Sequence, residues 1–134
     1  MQEYIRALVV GGGPELNEVA REAASLYSWR LSFTFSRDEA MKKAITEEPD
    51  IIILGSLETE GEAFRLNREL KRNPDTEDIA IVVVYPEERA DKGFKRHIEM
   101  RLEAEDHLYQ PITARELASS VEEILMNIGV LDIV

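Results

Sequence analysis

Three consecutive glycines, Gly11-Gly12-Gly13, follow the apolar run Ala7-Leu8-Val9-Val10 and precede Pro14. A proline there suits the first turn of a helix, and backbone N–H groups exposed at such a turn can hold an anion. The fuller phosphate-binding patterns are missing. A G-x-G-x-x-G fingerprint needs glycine where Leu16 stands, and no Gly-Lys-Ser/Thr ending is present. The first reading of the segment is a plain tight turn. An anion- or nucleotide-binding turn built on Gly11-Gly12-Gly13-Pro14 is the alternative.

The other chemistry-bearing residues are scattered. Glu58, Glu60, Glu87 and Glu88 carry the oxygen ligands that a hard cation wants, but without ligand spacing, and read as solvated loop charges. Ser56 has no base that the sequence can assign to it. His97 and His107 do not form a metal-ligand pattern. His97 reads as a surface helix residue, and His107 as either a pH-sensitive switch or a packed neutral imidazole. Lys92, Lys95, Arg96 and Arg101 gather in one segment of helical spacing. Such a stripe either faces an acidic protein partner or is a solvated helix face. No catalytic residue, metal set or cofactor is assigned, so the chain is not expected to be an enzyme.

These residues sit in a chain of 134 amino acids, with 27 acidic against 16 Lys and Arg and a net charge of -11. That length makes a single domain, 1–134, and 44% hydrophobic residues suffice for a packed core. The acidity works against nucleic acid and anionic membranes, which attract cations. Cysteine is absent, which excludes disulfides, thiolate zinc sites and Cys nucleophiles. No apolar run approaches the roughly 18 residues of a membrane span, and the Met-Gln-Glu-Tyr-Ile-Arg start lacks an export signal. A soluble cytoplasmic protein is expected.

Periodicity indicates the elements that would position the residues. Ile51-Ile52-Ile53-Leu54 and Ile79 to Val84 are continuous apolar runs, the pattern of strands covered on both faces of a parallel sheet. Leu16, Val19, Ala20, Ala23 and Tyr27 are spaced helically, and Leu31, Phe33 and Phe35 then alternate as in a more exposed strand. Ser36-Arg37-Asp38-Glu39 and Thr113-Ala114-Arg115-Glu116 have the Ser/Thr-x-x-Glu form of a capping box. They predict a helix that Pro49 ends and a last helix carrying Leu117, Val121, Ile124, Leu125 and Ile128 up to Gly129. A helix bearing Ala63, Phe64, Leu66 and Leu70 is expected to fail at Asn73-Pro74, and a weaker one carries Phe94, Ile98 and Leu102. A short strand, Leu108-Tyr109, ends at Pro111. Five strands alternating with five helices make an α/β, doubly wound parallel sheet, whose ligands bind outside the strands' carboxyl ends. The apolar tail Val130 to Val134 folds back, meets a partner or marks a boundary.

With these elements in place, the chain resembles the receiver domain of bacterial two-component response regulators over residues 4 to 129. Pro49-Asp50 with the run to Leu54 resembles the family's third strand. Leu70 to Val84, through Asn73-Pro74-Asp75-Thr76, is similar to its third-helix ending and fourth strand, and Ala104 to Pro111 to the approach to its fifth strand. The resemblance implies a five-stranded flavodoxin-like sheet of order 2-1-3-4-5 and a cis bond before Pro111. It also implies where the family's chemistry should sit. The metal-binding acid pair falls on Gly11 and Gly12, the Asp nucleophile on Gly55, the hydroxyl residue on Tyr85, the Lys on Gln110, and the aromatic switch position on His107. None of the required side chains is present. The resemblance therefore implies a degenerate receiver, unable to accept a phosphoryl group and using no cofactor. Such a module acts by binding a protein partner or a second copy of itself, with Lys92, Lys95, Arg96 and Arg101 as the candidate face. Tyr85 is expected to pack into the vacated pocket.

Overall fold

A computed structural model describes residues 4–57, 60–87 and 102–131 of the chain. Strand β1 (Ile5–Val10) is followed by helix α1 (Gly13–Tyr27), β2 (Trp29–Thr34), α2 (Arg37–Glu47), β3 (Ile51–Leu54), α3 (Glu60–Arg72), β4 (Ala80–Tyr85), β5 (Asp106–Tyr109) and α4 (Ala114–Asn127). The helix expected to carry Phe94 and Ile98 lies outside the described residues. All five strands are parallel in one sheet of order β2-β1-β3-β4-β5, as the resemblance implies.

The sheet has a core on each face. Ala7, Val9, Ile51, Ile53, Val82 and Val84 point to the side covered by α1 and α4. Leu8, Val10, Ile52, Leu54, Ile81, Val83 and Tyr85 point to the side of α2 and α3. Successive residues of a strand alternate between faces, so β3 and β4 must be apolar at every position, and each is buried throughout. Each fully buried Ile or Leu contributes about 1.5–3 kcal/mol of hydrophobic stabilisation.

Local signals set the boundaries. The Ser36 and Thr113 side chains accept hydrogen bonds from the Glu39 and Glu116 amides at 3.2 and 3.0 Å, satisfying donors that helix geometry leaves unpaired. Helix α2 closes on Glu48, in a left-handed conformation just before Pro49. The second strand begins earlier than its alternating aromatics suggest, at buried Trp29, and ends at Thr34; Phe35 lies beyond it, 67% exposed. Strand β5 likewise reaches back to Asp106, whose carboxylate accepts from the Ser120 hydroxyl of α4 at 2.6 Å. Past Gly129 the chain turns back: the Val130 and Leu131 amides donate to the Leu125 carbonyl, and both side chains pack against the α1–α4 core. Residues 132–134 lie outside the described residues.

Candidate functional site at the carboxyl edge of the sheet

Strand-to-helix connections bring the predicted residues to one edge of a parallel sheet. After β1 the backbone runs through Gly11, Gly12 and Gly13 at φ of 65°, 85° and 73°, the left-handed region that suits glycine. Gly12 is the N-cap residue of α1 and supplies no side-chain cap. This path lets the turn lie flat on the loop after β3. The Gly12 amide donates to the Ser56 carbonyl at 2.8 Å, the Gly55 amide to the Val10 carbonyl at 2.8 Å, and the Gly11 amide to the Thr34 carbonyl at 2.9 Å. Two of the amides that an anion would need are therefore already bonded within the protein.

The approach is close enough to leave no room for side chains. A Cβ on Gly55 would stand 2.5 Å from the Gly12 Cα and 2.7 Å from the Leu16 Cδ2. One on Gly11 would overlap the Ser56 carbonyl oxygen, and one on Gly12 the Leu16 side chain. Leu16, in the first turns of α1 and 1% exposed, is the side chain that fills this corner. In sequence it reads only as one position of the α1 stripe. The structure brings Gly11, Gly12 and Gly55 together as a sealed backbone seam plugged by leucine.

Tyr85 is placed elsewhere. At the end of β4 it belongs to the core on the α2–α3 side, where its ring stacks on Tyr109, centroids 4.8 Å apart, and lies parallel to the His107 ring at 5.9 Å. Register explains this: Val83 pairs with His107 and Tyr85 with Tyr109, so Tyr85 and His107 are diagonal neighbours on one face. The Tyr85 hydroxyl and His107 Nδ1 lie at hydrogen-bond distance, 2.9 Å apart. The Gln110 amide donates to the Tyr85 carbonyl at 2.8 Å, and the Gln110–Pro111 bond is cis.

Ser56 contributes its carbonyl to the seam, and its side chain is exposed. Glu87 is exposed and Glu60 opens α3, while Glu58 and Glu88 lie outside the described residues. Among the described residues no group of three or more His, Cys, Asp or Glu side chains is placed to hold a metal ion. His97, Lys92, Lys95, Arg96 and Arg101 also lie outside the described residues. No helix among the described residues is long and apolar enough to cross a membrane.

Two polar networks that sequence reasoning missed lie on the α2–α3 side of the sheet. Arg37, the first residue of α2, forms ion pairs with Glu62, at 2.9 Å, and with Glu69, both on α3. The Glu62 hydrogen bond and the Glu69 charge raise its pKa above the ordinary arginine value. Asn67 clasps the backbone of Glu103, donating to its carbonyl at 2.9 Å and accepting from its amide at 3.0 Å. Both pairings span more than twenty residues, and no local pattern carries a signal for them.

No protein-family model and no curated protein matches this sequence. Solved structures do match its shape. A putative response regulator from Chloroflexus aurantiacus is 20% identical, over 92% of this chain and 98% of that one, with a TM-score of 0.79. The signal receiver domain of a signal transduction histidine kinase from Syntrophus aciditrophicus is 22% identical, over 97% and 96%, also at 0.79. The receiver domain of a sensor histidine kinase from Pseudomonas aeruginosa, solved with magnesium in its active-site cleft, is 18% identical over 93% and 98%, at 0.74. The chain has the receiver-type fold.

Proposed function

We propose that this chain is a degenerate receiver that performs no aspartyl phosphotransfer and acts as a protein–protein interaction module in two-component-type signalling. The observation that carries the reading is Gly55. Where the resemblance places a nucleophilic carboxylate, the chain has no side chain, and Gly12 and Leu16 occupy the adjoining space. Gly11 and Gly12 likewise offer no oxygen to a divalent cation. With the chemistry absent and the shape kept, what remains for the fold to offer is its surface, to a protein partner or to a second copy. The anion-binding alternative is weakened by the bonded Gly11 and Gly12 amides.

The test is incubation with acetyl phosphate and magnesium, then intact-mass analysis. No labile phosphoryl adduct is expected, and an aspartyl phosphate at any position would overturn the reading. Magnesium alone should leave the melting temperature unchanged, because only a ligand that prefers the native state stabilises it. Lys92, Lys95, Arg96 and Arg101 stand as the proposed partner face. Charge reversal at Lys95 and Arg96 should weaken capture of a partner, and unchanged affinity would move the interface elsewhere.

A further inference from the structure

Helix α3 separates its charges. Glu62 and Glu69, seven residues apart, turn toward α2, where Arg37 binds both. Arg65, Arg68, Lys71 and Arg72 instead line a groove of about 670 Å³ together with Phe64 and Glu103. The groove is rigidly floored: Asn67 holds the Glu103 backbone, and Lys71 is tied at 3.1 Å to Glu105, which also accepts from the Ile81 amide at 2.5 Å. The arginines are more available. Arg65 makes one 3.4 Å contact with Glu62 and is 67% exposed, and among the described residues Arg68 and Arg72 form no ion pair. An acidic protein thus carries, among its described residues, a groove whose available charge is positive.

We infer that this groove docks an acidic, extended segment of a partner protein. From Arg65 to Arg72 the cations spread along about 10 Å of helix, at 1.5 Å per residue, a row that suits successive carboxylates on a strand rather than one compact anion. Arginine forks recognise carboxylates in two-point fashion. Glu103, on the wall, disfavours a dense multivalent anion, and Phe64, partly packed on the core, lines the same groove. The inference rests on the interaction-module reading and supplies the class of partner.

The probe is a fluorescein-labelled peptide alternating Glu and Ser about one central Leu, titrated with the full chain and monitored by anisotropy. The double variant Arg68→Glu/Arg72→Glu should lose affinity on the order of tenfold. Lys42→Glu/Arg115→Glu, equal in charge change but away from the groove, should keep it. Should the reversal impair folding, Arg68→Gln/Arg72→Gln should weaken binding in the same direction. Equal losses in the groove and control variants, or none in either, would overturn the proposal. So would tripolyphosphate displacing the probe at lower concentration than unlabelled peptide, which would make the groove a small-anion site. Failure of the peptide with acetyl phosphate still inert removes the groove alone, whereas an aspartyl adduct removes the wider reading.

Discussion

At the residue scale, Gly55 and Leu16 decide what the carboxyl edge can do. Gly55→Asp should not create a phosphorylation site but should destabilise the fold by at least about 2 kcal/mol, since its Cβ meets the Gly12 Cα at 2.5 Å. Denaturant unfolding measures this, and a neutral effect would show that the turn can move aside. Leu16→Ala should cost about 2–5 kcal/mol, the range for removing a buried leucine where the surroundings cannot collapse. The missing oxygens at 11, 12 and 55 were legible in the sequence, because the resemblance aligns those positions one by one. The closure was not. It depends on β1 and β3 being neighbours and on a helix side chain reaching across both, a relation between residues 39 positions apart that periodicity cannot express. The particular contacts of Tyr85, its hydroxyl on His107 and its ring on Tyr109, follow from the β4–β5 register.

At the element scale, most boundaries were legible because their causes are local. Ser36 and Thr113 cap where their sequence form indicates, and Ser36→Ala or Thr113→Ala should each lower stability by about 1 kcal/mol in equilibrium unfolding. Pro49 and Asn73-Pro74 stop helices by backbone geometry, whereas the exposed Phe35 extended the apparent strand because alternation does not say which residue faces water. The α2–α3 clamp has a definite pH behaviour. A raised arginine pKa means its stabilisation is complete below the unfolded value and is lost only as pH rises through the still higher folded one. The stability difference between the native protein and Arg37→Met should therefore be the same at neutral and mildly alkaline pH. At the sheet's outer edge, Lys43 reaches from α2 to the Ser32 hydroxyl at 3.2 Å and to the Phe33 carbonyl at 3.1 Å, occupying one main-chain acceptor of β2 that another strand could otherwise pair with.

At the scale of the whole molecule, the net charge of -11 and the basic groove on α3 make opposite demands on salt. Screening should raise the melting temperature by easing self-repulsion while weakening acidic-peptide binding over the same range, since the Debye length is about 10 Å at 0.1 M. A parallel response of both quantities would argue that the groove is not electrostatic in character. The seam between Gly12 and Gly55 also constrains the order in which this surface can change. A carboxylate introduced singly at either position collides with main chain or with Leu16, so any intermediate is less stable than its parent, and building a charged cleft here requires coordinated replacements in two loops and a helix. Close packing at this edge thus makes each single acidic substitution costly, whichever of the two positions receives it.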